Sequence, residues 1–306
     1  MNQAREKTER IIDILYSRIE EKPKKKPITY RKLARKEYLK IAKKRRSSKY
    51  EIRQAIKKQL QYIQRNLISI EQLQSSGGKL EWLTERQYKT LLVLTEVHRQ
   101  QLEMYENKQK RIDDRIVSIS QPHIRPIIRG KAGASVEFGA KLSVSYWNGY
   151  VFLSKISWDN FNESGDLKIQ VEEFKNLTGC YPDSVHVDQI YRTRENRAWC
   201  KEREIRLSGV PLGRRPQNIC KATKKQAQLD EKYRSRIEGK FGEGKRRFSL
   251  NRVMTKLAST SQTAIAITFL VMNLSALLRQ IVLLFFGFFR VRLVLAIRSD
   301  SIAIGN

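Results

Sequence analysis

The sequence predicts an α/β domain preceded by an all-helical, strongly basic region, and three observations carry that reading. In the first third of the chain the apolar residues fall at helical spacing. From Ile116 onward β-branched residues alternate along the chain, and two such runs flank Trp147-Asn148-Gly149, the turn signal of a hairpin. Beyond the hairpin, helix-like and strand-like segments take turns in the order β-β-α-β-α-β, which calls for a mixed sheet with helices on its faces.

In the helical region, Ile11, Ile12, Leu15 and Ile19 place a first helix over residues 4–22, ended by the prolines of a basic linker, Lys22-Pro23-Lys24-Lys25-Lys26-Pro27. A second helix is expected from Tyr30 to Arg46 and a third from Lys49 to Leu67. Their inward faces carry Leu33, Tyr38, Leu39, Ile41, Ile52, Ile56, Leu60 and Ile63. Gly77-Gly78 marks a turn, and a fourth helix runs from Glu85 to about Lys110 with Leu91, Leu92, Leu94, Val97, Leu102 and Tyr105 as its core stripe.

In the second region, strands are expected at Val136 to Tyr146 and Tyr150 to Trp158, then a helix from Leu167 to Thr178 and a strand from Ser184 to Asp188. A helix from Arg194 to Arg203 and a strand from Ile205 to Ser208 follow. A Gly/Pro/Arg-rich loop, Gly209 to Pro216, leads to a long polar helix from about Lys224 to Lys240 and an apolar one from Thr263 to Leu278. The whole is the pattern of an RNase H-like mixed sheet lacking its first strand, with an N-terminal all-helical insertion. The segments divide as 1–112, a basic helical region for DNA binding; 113–280, the α/β domain; and 281–306, an apolar tail to which no function is attached.

The charge narrows the partners. Lys and Arg number 61 against 31 Asp and Glu, a formal net charge of +30. So large an excess repels itself in the folded state and points to a polyanion, nucleic acid first and an anionic membrane surface second. Residues 1–65 carry 22 of the basic residues and 7 of the acidic ones, so the N-terminal segment, with Lys43, Lys44, Arg45 and Arg46 at its densest point, is the best electrostatic footprint.

Cys180, Cys200 and Cys220 form no C-x-x-C and have no His at ligand spacing, which argues against a zinc site or a disulfide scaffold. The polar start, Met1 to Arg10, has no secretory apolar stretch, and a reducing cytoplasm fits. Ala264 to Phe289 is long enough to span a bilayer, but Asn273 and the mid-run pair Arg279-Gln280 favour a buried core helix. His98, His123 and His186 read as packing or surface residues, and Trp82, Trp147, Trp158 and Trp199 as core aromatics.

Two carboxylates stand out. Asp188 closes the apolar strand Val185-His186-Val187, and side chains at the carboxyl end of such strands face the ligand crevice; the pattern also suits an aspartate that caps the next turn. Arg234, Glu238 and Lys245 fall on one face if their helix continues. That face can hold a metal ligand beside DNA-backbone contacts, though by pattern alone a surface salt-bridge ladder is the commoner origin of such a face. Paired carboxylates matter because metal-assisted phosphoryl transfer places one ion on the attacking oxygen and another on the leaving one.

The run Val187-Asp188-Gln189-Ile190-Tyr191-Arg192-Thr193-Arg194-Glu195-Asn196-Arg197 resembles the block around the second aspartate of DDE insertion-sequence transposases. Arg234-x3-Glu238-x6-Lys245 resembles their Tyr-x2-Arg-x3-Glu-x6-Lys signature, with Glu231 at the Tyr position. Gln121-Pro122-His123-Ile124-Arg125-Pro126 and Ser157-Trp158-Asp159-Asn160-Phe161-Asn162-Glu163 are similar to one bacterial branch of the family. The resemblance implies Asp188 and Glu238 as catalytic metal ligands, Arg234 and Lys245 as DNA-positioning residues, and Mg²⁺ as cofactor with Mn²⁺ able to substitute. It also implies terminal inverted repeats and target DNA as partners, a homo-oligomer assembled on DNA, no membrane, and a cytoplasmic, nucleoid-associated setting. The family's first aspartate lies on the first strand of its sheet, and the chain opens inside the helical insertion that follows that strand. The expectation is therefore a chain truncated at its N-terminus and inactive as it stands, with Asp113 or Asp114 the remaining candidates for the absent ligand. A non-enzymatic, basic nucleic-acid-binding protein is the alternative.

Overall fold

The computed structural model describes residues 1–21, 23, 25–128, 136–209 and 220–299, without the side chains of 128 and 288–299. It divides into two compact units, Met1–Gly139 and Ala140–Asn306.

In the first unit four helices surround one core: α1 (Asn2–Arg18), α2 (Arg31–Ala42), α3 (Lys49–Ser75) and α4 (Glu85–Glu106). Ile11, Ile12 and Leu15 of α1 meet Ile63, Ile70 and Leu73 of α3 and Leu91 and Leu94 of α4. Ser48 with Glu51 and Thr84 with Gln87 form reciprocal capping boxes that start α3 and α4. Two short strands, β1 (Arg125–Ile128) and β2 (Val136–Gly139), pair antiparallel at the end of the unit.

Three of the expected inward residues are not inside. Leu33 and Tyr38 are exposed because Ala34 is the one fully buried residue of α2, and Ile52 is exposed near the start of α3, whose buried positions begin at Gln59. Leu92 is exposed as well, about 100° around α4 from Leu91 and off the stripe made by Leu91, Leu94 and Val97. Arg115 to Ser120 is irregular chain, preceded by a turn at Asp113 and Asp114.

The second unit contains β3 (Lys141–Trp147), β4 (Tyr150–Ser157), α5 (Asp166–Thr178), β5 (Ser184–Val185), α6 (Arg194–Glu202), β6 (Arg206–Leu207), α7 (Lys221–Arg247) and α8 (Ala258–Ser299). It is an α/β arrangement with small sheets: β3 and β4 pair antiparallel, and β5 and β6 pair parallel. The hairpin turns at Asn148 and Gly149, both with positive φ (48° and 92°), the backbone that a two-residue turn between twisted strands requires. The expected run Val136 to Tyr146 is broken at Ala140, its first part pairing with β1. The strand expected from Ser184 to Asp188 shrinks to Ser184–Val185, because β6 offers partners to those two residues only. Beyond Gly209, the Gly/Pro/Arg-rich loop lies outside the described residues.

Leu167 and Val171 of α5 pack with Cys200 and Ile205 and against Val185 and Val187, which covers one face of the parallel pair. On α7, Asp230 and Gly244 are the buried residues. Asp230 takes both guanidinium nitrogens of Arg206 at 2.8 Å and Gln226 at 2.9 Å, and His186 Nδ1 lies 3.4 Å away. Gly244 lets α8 approach, since a Cβ there would stand 3.1 Å from Met272 Sδ.

The apolar helix α8 is not a buried core helix. It buries the stripe Ile265, Phe269, Met272 and Ala276 against the hairpin, while Leu270, Leu274, Leu278 and Leu284 are exposed. Its span Ala258–Gly287 is long and apolar enough to cross a membrane by length and composition. Three polar residues that interrupt it, Asn273, Arg279 and Gln280, have partners within the unit. Asn273 bonds both the N–H and the C=O of Val151 (2.8 and 2.7 Å), Gln280 accepts from the Tyr150 hydroxyl at 2.7 Å, and Arg279 reaches Glu243 at 2.8 Å. Asn273 thereby does for Val151 what a further strand would do at the edge of β4. Trp147, expected in the core, is largely exposed and meets Phe174 edge-on at 5.2 Å.

Replacing Asn273 by Leu is close in volume but strands two backbone groups of β4. Asn273→Leu should cost about 1–3 kcal/mol in urea unfolding, whereas Leu274→Asn, on the exposed face, should leave the midpoint nearly unchanged. Equal effects would contradict the edge-capping role.

Candidate functional site

The site is built where the chain leaves β5. Asp188 has extended backbone (φ −68°, ψ 163°) at the start of the Gln189–Tyr191 turn, and its side chain makes no capping bond to that turn. Its carboxylate instead faces α7. That helix runs unbroken through Gly239, Gly242 and Gly244 to Arg247, so Arg234, Glu238 and Lys245 share one face.

Arg234 is the centre of the arrangement. One of its nitrogens, Nη1, donates to Asp188 Oδ1 at 2.5 Å and to Glu238 Oε1 at 3.0 Å. Two carboxylate oxygens from residues distant in sequence thus share a single donor and lie no farther apart than the sum of those distances. The other nitrogens are held by Glu231, with Nη2 to Oε1 at 2.5 Å and Nε to Oε2 at 3.0 Å. The guanidinium is itself sheltered, at 22% side-chain exposure, while the three carboxylates are exposed at 62–64%. The pairing with Glu231 and Glu238, opposed by partial burial, raises the pKa of Arg234, and the bond from Arg234 holds the Glu231 carboxyl below its ordinary value.

Neighbouring groups fix the approach. The Tyr191 hydroxyl lies 3.4 Å from Glu163, and burial pushes its phenol pKa up, with Glu163 adding to the shift. Arg192 bonds the Val187 carbonyl at 3.0 Å, and its guanidinium fills the space where a Cβ on Gly209 would stand; Gly209 has φ 117°. Lys245 is exposed in the last turn of α7. In the first unit Lys43, Lys44, Arg45 and Arg46 are all exposed between α2 and α3, near the exposed Lys32, Arg35, Lys36 and Lys40 of α2. Lys44 bonds Glu51, which with the Ser48 backbone brings that carboxyl down to about 2.

Oxygen donors on two exposed carboxylates that already share one cationic atom suit a hard divalent ion, which binds through one or two carboxylates and keeps much of its water. Among the described residues, no group of three or more His, Cys, Asp or Glu is arranged to hold a metal ion. Asp113 and Asp114 belong to the first unit, where Asp114 has a left-handed backbone (φ 52°) and faces Arg125 at 3.6 Å.

Sequence reasoning placed Asp188, Arg234, Glu238 and Lys245 on these elements but treated Glu231 only as a departure and His186 as a packing residue. A carboxylate three residues before Arg234 is helical pairing distance, and that signal was available. Asp230 had a signal too: it precedes Arg234 by one helical turn, as His186 precedes Asp188 by two residues.

A family model described as Transposase DDE domain matches residues 185–275, less than half of the chain. The matched residues take in β5, Asp188, α6, β6, α7 and the first part of α8. No curated protein and no solved structure matches the chain.

Because the carboxyl of Glu231 is depressed below 4.5, its pairing with Arg234 contributes stability above pH 4.5, and that contribution is lost as pH falls through the lowered value. Arg234→Ala removes the pairing. The urea midpoints of parent and variant should therefore differ near pH 7 and converge in acid. A gap independent of pH would contradict the shared-guanidinium geometry.

Proposed function

We propose that this chain is a DNA transposase polypeptide of the insertion-sequence kind, with an RNase H-like domain whose carboxylates Asp188 and Glu238 serve phosphoryl transfer. The observation that carries this reading is the meeting of those two carboxylates, 50 residues apart in the chain, on Arg234, within the segment matched by the DDE-domain model. A salt-bridge ladder confined to one helix would account for Glu231 and Glu238 but not for Asp188.

In this reading residues 1–112 grip duplex DNA, residues 113–280 carry the chemistry, and residues 281–306 remain without a role. Lys43, Lys44, Arg45 and Arg46 neutralise backbone phosphates and release their counterions. Lys245 and Arg234 stand beside the carboxylates and hold the scissile strand by its phosphates. Mg²⁺, with Mn²⁺ able to substitute, would be held by Asp188 and Glu238 and would supply activation of the attacking oxygen and stabilisation of the leaving one. Arg234 occupies the point between the two carboxylates, so it would turn outward toward phosphate when they bind a cation. The substrates are the terminal inverted repeats and a target duplex, the working form is a homo-oligomer on DNA, and the setting is the cytoplasm, on the nucleoid.

Two described carboxylates do not make a complete two-metal centre. The proposal therefore includes that residues 1–306 bind DNA but do not transfer strands unaided. That feature is shared by the second reading, a non-enzymatic nucleic-acid-binding protein.

Affinity for duplex DNA should fall steeply and linearly on a log–log plot against salt. Replacing Lys43, Lys44, Arg45 and Arg46 by Ala should make that slope shallower by about 0.9 for each phosphate that is no longer neutralised. Salt-insensitive binding, or strand transfer by the chain alone, would contradict the proposal.

A further inference from the structure

The elements that carry Asp188 and Glu238 touch at two levels. At the upper level is the contact already described, Asp188 to Arg234 to Glu238. At the lower level His186 and Arg206 face Asp230. His186 precedes Asp188 by two residues, and Asp230 precedes Arg234 by four and Glu238 by eight. Two residues of extended chain span at most about 7 Å and four residues of helix about 6 Å, so the short segment leaving β5 and one turn of α7 are matched in length, and both levels are met together.

The two levels differ in kind. The upper one is made by exposed carboxylates. The lower one is sheltered: Asp230 is buried, and both its oxygens are engaged by Arg206 in a two-pronged pairing, with Gln226 as a third donor. Tyr233 stacks on His186, ring centroids 5.1 Å apart, and Arg236 lies over the same Tyr233 ring at 4.5 Å. Ser184 Oγ, His186 Nε2, His186 Nδ1 and Asp230 follow in the order of a nucleophile, base and acid (3.2 and 3.4 Å). The carboxylate, however, is committed to Arg206 with both oxygens, so it orients α7 rather than activating His186. The long, polar α7 has one other buried residue, Gly244, near its far end.

We propose that Asp230 is a positioning residue: its pairing with Arg206 and its contact with His186 set the register of α7 on the parallel strands, and so bring Glu238 to Asp188. The proposal deepens the reading of Asp188 and Glu238 as a carboxylate pair and rests on it. Arg234 cannot perform this task alone, because its exposed contacts are individually weak and screened by salt. A buried carboxylate deprived of its partner, by contrast, is strongly penalised, so slipped registers are disfavoured.

The test uses the full chain with Cys180→Ser and Cys220→Ser, leaving the buried Cys200, and with Asp188→Cys and Glu238→Cys as the reporter pair. The rate of bridging by a short bifunctional thiol reagent reads the approach of the two positions with no metal or DNA present, and with both acidic partners of the upper level at those positions removed. Adding Asp230→Ala should slow bridging by at least about tenfold, since effective concentration falls steeply with misplacement; Arg206→Lys, which keeps the charge but loses the two-pronged geometry, should give an intermediate loss. Val151→Ala, which loosens the packing of β4 on α8, is the control for general destabilisation and should leave the rate near the parent's. Asp230→Ala or Arg206→Lys bridging as fast as the parent, or Val151→Ala slowing it equally, overturns the proposal. A parent that fails to bridge overturns the carboxylate-pair reading itself, and the proposal with it.

Discussion

Arg234 places one guanidinium among three carboxylates, and what the second unit presents around Asp188 is oriented by that contact. Its energetic weight is small, because exposed pairs of this kind are screened by water and salt. Burial of Leu167, Val171, Phe269 and Met272, by contrast, contributes about 1.5–3 kcal/mol per side chain. The apolar clusters therefore hold the fold, and the guanidinium decides what the fold presents: oxygens from residues distant in sequence, facing one point. Glu231 has a part in this. By holding Nε and Nη2 it leaves Nη1 directed at Asp188 and Glu238.

Much of this was legible in the sequence, for identifiable reasons. The Asn148-Gly149 pair specified its hairpin because few residues tolerate positive φ at both turn positions. The helices of both units were readable from apolar spacing, and the chain order of hairpin, helix, strand, helix and strand was readable as well. What escaped was tertiary. Strand length depends on partners, so β5 is shorter than its apolar run. Exposure of Leu33 and Tyr38 could not follow from periodicity alone, since a helix docked through one small residue such as Ala34 leaves apolar positions uncovered.

The polar residues of α8 teach the same lesson in reverse. Asn273 and Gln280 looked like interruptions of an apolar helix, and they are its attachment points to the hairpin. At the carboxylates, residue types and spacing alone left a capping aspartate and a salt-bridge ladder open, and the family resemblance selected Asp188, Arg234 and Glu238, yet the third carboxylate on the arginine stood at a position where that resemblance led one to expect a tyrosine. The strong positive charge gathers in a different unit, on α2 and the segment after it, so the proposed function divides DNA grip and carboxylate chemistry between separate parts of the chain.

The central claim is that Asp188 and Glu238 form one cation-binding point. It is tested most directly by loading the DNA-bound full chain with Fe²⁺ in place of Mg²⁺ and mapping where the radicals formed with ascorbate and peroxide cut the protein backbone. The account predicts cuts clustered beside both Asp188 and Glu238, suppressed by excess Mg²⁺ and lost in Glu238→Gln. Cutting at only one of the two positions, at neither, or unchanged by Glu238→Gln would contradict it.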